Sequence, residues 1–326
     1  MPPVFKRSHR RGQIRLIVLV ALSLALTRMG CGKQEASVSP QARVAPGVTI
    51  RQVKAGVATV RVIDVDLGVP GVRVDVAADD IAVRDGRITG RARPVSEWLE
   101  ETGAVAGVNG GFFGVTVGQE FKEIVGLLKL DGRVRAAAPR YHSTKSNIDY
   151  SRSAFGMTRE GRPYIDWVTS RAGAPQSLRS YGNPEFSGAG SAWEVEDAVA
   201  CGPRLVRNSK VEIAFKGERL ASPGALPRTF VGHGQPPGRA RHVVLCAADG
   251  MEFEDCARFL MEYFQHQYGV PCAEGMCMDG GASTQAAWRE KTATGTRIAT
   301  ELHPGVTVPT ALIVYSNDAP ADGKNE

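Results

Sequence analysis

Residues 242–284 read HVVLCAADGMEFEDCARFLMEYFQHQYGVPCAEGMCMDGGAST, and the fold class turns on how this run is parsed. His242 to Ala247 is a compact apolar run ending at Asp249-Gly250, as expected of a buried strand closed by a turn. Phe253, Ala257, Leu260, Met261 and Phe264 then recur at helical spacing through Glu254 to Tyr268. Gly269, which tolerates the left-handed C-cap conformation, closes that helix. A loop leads into Cys277-Met278-Asp279. Strand, helix and strand in this order predict a crossover between parallel strands, with Asp249 and Asp279 at the C-terminal edge where open sheets bind ligands. The octet at its end and one residue beyond, Met278-Asp279-Gly280-Gly281-Ala282-Ser283-Thr284-Gln285, has the make-up of a site. One carboxylate precedes two glycines that let backbone N–H groups approach a ligand oxygen, and hydroxyls and an amide follow. The same residues also describe a tight turn in which Asp279 bonds only its own backbone.

Upstream, Val57 to Val65 and Val72 to Val76 alternate and are rich in β-branched residues, so they read as an antiparallel hairpin. Ser96 to Thr102, with Ser96 near its N-cap, reads as a short helix. Ala104 to Val108 is a strand running into Asn109-Gly110-Gly111-Phe112-Phe113-Gly114, a second glycine-flanked polar residue at a strand end. Further hairpins are predicted at Ile124 to Val134 and Ser153 to Val168, and a buried strand at Thr310 to Tyr315. Residues 171–192 lack a period and read as a long surface loop bordering a cleft. The resulting expectation is an α+β fold: a single domain over residues 51–318 with a twisted mixed β-sheet core flanked by helices.

Residues 1–31 read as an export leader. Lys6, Arg7, Arg10, Arg11 and Arg15 precede an apolar run from Leu16 to Leu26 that is too short to span a bilayer comfortably. Cys31 stands where a lipoprotein signal places its lipidated cysteine, which makes it the candidate membrane anchor and the protein periplasmic or outer-surface. Residues 32–50 read as a flexible tether and 319–326 as a disordered tail. The net charge of +6 rests heavily on the leader, and no other stretch is densely basic with interleaved aromatics, so no nucleic-acid partner is expected. In an oxidising compartment the remaining cysteines favour a disulfide, with Cys272 and Cys277 the first choice.

Five stretches in order resemble one family: NGGFF at 109–113, GLLKLDGRV at 126–134, ACGPRLV at 200–206, PRTFVG at 227–232 and MDGGAST at 278–284. The family is the phosphodiester glycosidases, with Ala282 standing where its DGGGS element has glycine. The resemblance implies hydrolysis of a sugar-1-phosphodiester in a surface or extracellular phosphoglycan. Such chemistry asks for a carboxylate at the anomeric carbon and for donors that stabilise the departing phosphate. Asp279 is the first candidate for the carboxylate, and Asp249 the second, as acid–base partner. Arg228 is the candidate phosphate clamp, its planar guanidinium matching phosphate oxygens. Asn109, Gly110, Gly111, Thr229, Gly280, Gly281 and Ser283 are candidate substrate-binding residues, and His233 a candidate proton shuttle. No cofactor is implied. Two rival functions are a non-catalytic exopolysaccharide-binding or assembly protein, and a hydrolase holding Ca²⁺ or Mg²⁺ through Asp279 and Asp249.

Overall fold

The computed structural model describes residues 42–118, 120–221, 224–236 and 241–317; the leader, Cys31 and the tail from 319 lie outside them. Among the described residues, five sheets stand against two α-helices, α1 (Val95–Thr102) and α2 (Phe253–Tyr268), and one 3-10 turn at Gly281–Ser283. The α+β class is therefore overturned. This is a β-rich fold of several packed sheets, and the expected mixed sheet is absent among the described residues: every neighbouring strand pair is antiparallel, because Leu226–Gly234 lies between the two parallel strands His242–Met251 and Glu274–Cys277. Apolar residues repeat with a helical period in just two segments, whereas alternation or hairpin pairing governs the rest.

The eight-stranded sheet has the order Ala42–Ala45, Val48–Ala55, Ala58–Asp66, His242–Met251, Leu226–Gly234, Glu274–Cys277, Arg204–Arg207, Lys210–Val211. Its first two strands begin inside the stretch read as a tether. Leu226–Gly234 runs antiparallel to both neighbours, with Phe230 opposite Cys246 on one side and Cys277 on the other. His242–Met251 and Glu274–Cys277 are thus parallel, and α2 is the crossover between them.

A capping box between Glu252 and Asp255 starts α2, and Gly269, at φ 72°, ends it by donating to the Gln265 carbonyl. Its apolar face buries Phe253, Cys256, Leu260, Tyr263 and Phe264. Leu260 seats on Gly232 and Gly275, where a Cβ would come within 2.8 and 2.6 Å of its methyls, so both positions must be glycine for the helix to lie this close. The Tyr263 hydroxyl donates to Asp64 at 2.6 Å, and Tyr268 donates to the same carboxylate.

The strand Ala58–Asp66 shows how the layers divide. Val60 and Val62 face α2, while Ile63 and Val65 face the main core. That core also takes Phe155 and Val199 from a seven-stranded sheet and Val108, Ala286 and Leu312 from a five-stranded one.

Residues 171–192 are not a loop. Ala174–Tyr181 pairs with Pro163–Arg171 on one side and with Ser191–Ala192 on the other. Only Leu178 and Tyr181 of that strand are buried, so ladder hydrogen bonds rather than an apolar stripe hold it, and no sequence alternation announced it.

The disulfide expectation also fails, since the five cysteines among the described residues are free, buried thiols. Cys272 points its sulfur at the carbonyls of His233 and Glu274, whereas Cys277 faces Cys256 of α2. The two therefore point at different neighbours.

Candidate active site

The strand Ala106–Asn109 is wholly buried between Gln285–Thr292 and Ala311–Tyr315, and it delivers Asn109 to the sheet edge. The backbone then turns close against two neighbours. Gly110 donates to the Thr310 carbonyl at 2.9 Å and Gly111 to the Thr310 hydroxyl at 3.0 Å. A Cβ at Gly110 would stand 2.3 Å from Thr310 Oγ1, and one at Gly111 2.3 Å from the Ala200 carbonyl oxygen, so neither position admits a side chain.

Asn109 sits at the junction of the signature segments. Its Oδ1 accepts from Thr229 Oγ1 at 2.6 Å and from the Gln285 N–H at 3.0 Å, and its Nδ2 donates to the Asp279 carbonyl at 2.7 Å. Asp279 in turn donates its N–H to the Gly110 carbonyl at 3.1 Å. Asn109 and Thr229 are both fully buried with these bonds made, so they tie the site together instead of facing a ligand.

The arrangement leaves the Asp279 side chain half-buried at the edge of the turn. Burial pushes its carboxyl up to about 6, against the opposing pull of the Ser283 hydroxyl, the Gly280 N–H and the charge of Lys122. Gly281 is left-handed, at φ 63°, with open space where its Cβ would be. Ala282 is exposed and has no left-handed backbone, so the departure from glycine at this position costs no strain.

Three further sequence candidates have their own surroundings. Arg228 is buried beneath the turn, with Nε donating to the Met251 carbonyl at 3.1 Å and Nη2 to the Gly224 carbonyl at 2.9 Å, and its guanidinium 4.3 Å from the centre of the Phe253 ring. Asp249 does reach the same sheet edge. Its carboxylate, however, turns away to accept the Thr59 N–H at 2.8 Å and to face Arg61 at 3.6 Å, so it forms no dyad with Asp279. His233 is buried with both ring nitrogens unpartnered among the described residues, and burial pushes its pKa down to about 3. A neutral imidazole in the middle of a sheet shuttles no proton to this edge.

Several contributing residues carry no sequence signal. Glu218 is fully buried and accepts from Ser153 Oγ at 2.7 Å, Trp167 Nε1 at 2.8 Å and the Arg204 N–H at 2.9 Å. It lies 2.2 Å from where Gly202 would carry a Cβ, and so shapes the Cys201-Gly202-Pro203 turn. That turn is bonded to Cys277 in both directions, by Gly202 N–H to its carbonyl and by its own N–H to the Pro203 carbonyl. Lys122 emerges from the strand Phe121–Ile124, its Nζ donating to the Thr307 carbonyl at 2.6 Å and standing 4.4 Å from the Phe113 ring centre. Burial lowers its pKa while Asp279 raises it. Among the described residues no group of three His, Cys, Asp or Glu side chains could hold a metal. A cavity of about 740 Å³ does open on the outer face of the seven-stranded sheet, walled by Tyr164, Arg179 and Trp193, but no residue of the Asp279 turn lines it.

A half-buried carboxyl titrating near pH 6, on a turn whose glycines open backbone space, can serve as base or nucleophile. The profile of the phosphodiester glycosidase family matches residues 102–315, a span that includes every residue of the Asn109–Asp279 junction. The chain belongs to this family. No curated protein matches it. Among solved structures it is similar to a hypothetical protein from Synechocystis, at 13% identity and a TM-score of 0.53, covering 85% of this chain and 64% of that one. It is also similar to a candidate exported protein from Burkholderia pseudomallei K96243, at 14% identity and a TM-score of 0.46, covering 84% of this chain and 76% of that one. The Synechocystis likeness is one of fold, and the chain spans only 64% of that protein's length.

Proposed function

We propose that this phosphodiester glycosidase hydrolyses a sugar-1-phosphodiester with Asp279 as its reacting carboxylate. Water adds at the anomeric carbon, the bond from that carbon to the bridging oxygen breaks, and free sugar and a phosphomonoester leave. The phosphate is a weakly basic leaving group, so the demand falls on the attacking side and on the departing charge. The observation that supports this reading is the Asp279 carboxyl, raised to about 6 by burial and held in place through Asn109 and Gly110. Above that pKa it is ionised and able to take a proton from water or to attack the sugar directly. The substrate is a surface or extracellular phosphoglycan, reached by export of the chain through its leader, with Cys31 as a lipid anchor ahead of a folded domain whose first strand begins at Ala42. No helix among the described residues is long and apolar enough to cross a membrane.

The test is product release from a panel of sugar-1-phosphodiesters by protein lacking the leader, with the Asp279→Asn variant beside it. Turnover that disappears in the variant supports the assignment. A wild type that binds such compounds without cleaving any of them would shift the reading to a glycan-binding protein.

A further inference from the structure

The cavity of about 740 Å³ on the outer face of the seven-stranded sheet has the size of a ligand site, which is ordinarily ~300–1,000 Å³. Strand alternation explains what lines it. In Pro163–Arg171, Ile165 turns into the main core, so Tyr164, Asp166 and Val168 face the other way. Trp193 packs with Val168 in a satellite core at one end of that face, while Tyr164 at the other end is left 43% exposed on the cavity wall. The strand Ala174–Tyr181, from the stretch whose sequence suggested the border of a cleft, supplies Arg179 to the wall.

The lining is polar but balanced in charge, four basic side chains on the walls being matched by four acidic ones. Some are already engaged: Arg159 pairs with Glu196 at 3.2 Å, and Asp166 faces Arg204 at 3.6 Å. Lys129 and Arg179, both half-buried, and the exposed Glu194 make no side-chain hydrogen bond or ion pair among the described residues. Trp193 lines the cavity with its Nε1 buried and without an acceptor among the described residues. Such a wall offers donors and acceptors together. A sugar hydroxyl both donates and accepts, whereas phosphate oxygens chiefly accept. The exposed Tyr164 ring matches the apolar C–H face of a pyranose.

We propose that this cavity is a second glycan site, which binds an uncharged stretch of an oligosaccharide away from the Asp279 turn. Its place suits a polymer. The strand Asp197–Ala200 starts beside Glu196 on the cavity wall and ends at Ala200, whose carbonyl packs against Gly111. At about 3.3 Å per residue, Glu196 and Ala200 lie ~13 Å apart along the strand. A chain held at the cavity keeps its next residues near the Asn109–Asp279 corner, which raises their effective concentration there. The ligand class follows from the lining; that the bound glycan is also the one cleaved rests on the function proposed above.

The experiment is titration calorimetry with neutral hexasaccharides of glucose, mannose and N-acetylglucosamine, with hexagalacturonate and inorganic phosphate as charged probes. Wild type is compared with Tyr164→Ala, Tyr164→Phe, Arg179→Met, Asp279→Asn and the exposed-charge control Lys291→Met. Wild type should bind a neutral hexasaccharide, and Tyr164→Ala and Arg179→Met should each weaken that binding by roughly tenfold or more. Tyr164→Phe keeps the ring and should keep the affinity, and Asp279→Asn and Lys291→Met should bind as wild type does. On a sugar-1-phosphodiester extended by the bound hexasaccharide, the two weakening variants should raise KM by roughly tenfold while leaving the unextended substrate unaffected. Four results would each overturn the proposal: no binding of any neutral hexasaccharide up to about 10 mM, tighter binding of hexagalacturonate or phosphate, affinity unchanged in Tyr164→Ala and Arg179→Met, or affinity lost in Asp279→Asn. Binding by a protein that cleaves no sugar-1-phosphodiester would keep the second site and reject the hydrolase reading, and cleavage without such binding would do the reverse.

Discussion

Replacing Asp279 by Asn should abolish turnover and at the same time stabilise the fold. Burial raises the carboxyl from 3.8 to about 6. A raised acid pKa means that folding disfavours the ionised form. At pH 7 the group is ionised in both states, and the folded chain bears the cost. As pH falls through about 6 the folded state takes up the proton and the cost shrinks, and below 3.8 both states are neutral and it is gone. A shift of about two units corresponds to about 3 kcal/mol, and because the side chain is half-exposed, solvent screening brings this nearer 1–2 kcal/mol. Asparagine has nearly the same shape, keeps an oxygen for the Gly280 N–H and carries no charge. Urea denaturation at pH 7 should thus show the variant more stable by about 1–2 kcal/mol, with the gain fading between pH 6 and pH 4. Activity should fall by roughly 10²-fold or more. A variant that is less stable at pH 7, or whose gain is the same at both ends of that window, would refute the claim that Asp279 is held ionised against its surroundings.

Three other outcomes are expected. The pH–rate profile of kcat/KM should have an acid limb near pH 6, with activity dropping about tenfold per unit below it, and a limb near pH 4 would mean that Asp279 is not the titrating group. Asn109→Ala leaves the Thr229 hydroxyl and the Gln285 N–H without their acceptor, and should cost roughly 3–5 kcal/mol in chemical denaturation; a loss under about 1 kcal/mol would show that the junction is not what ties the segments. Hydrolysis should persist in EDTA, and loss of activity that added Ca²⁺ restores would revive the metal-dependent reading.

Local signals made the crossover legible. The apolar run at 242–247, the helical spacing from Phe253 to Phe264 and the two glycines after Asp279 are each read within one element, and together they placed Asp279 at a sheet edge. What stayed hidden depends on distant partners. Asn109 has the letters of a ligand-binding amide, but its hydrogen bonds go to Thr229, 120 residues on, and Asp279, 170 residues on. Asp249 was placed at the correct edge, yet its orientation is decided by the Thr59 N–H on a neighbouring strand. Lys122 is an ordinary lysine in a short strand until Phe113 and Asp279 are brought beside it. The fold class went astray for a similar reason: strands such as Ala174–Tyr181 are held by pairing and not by a pattern of their own.

Thr310 holds the Asn-Gly-Gly turn from a point 199 residues later in the chain, and the strand Ala311–Tyr315 that follows it lies alongside Ala106–Asn109. The Asn109–Asp279 corner therefore cannot be fixed before Thr310 has been made. During synthesis the Asp279 turn emerges without the Thr310 hydroxyl and carbonyl that fix Gly110 and Gly111, and every earlier strand must wait through a long loop closure before the last one docks. An intact Asp279 turn is thus a report on long-range docking: it is held only once the strand Ala311–Tyr315 has been delivered.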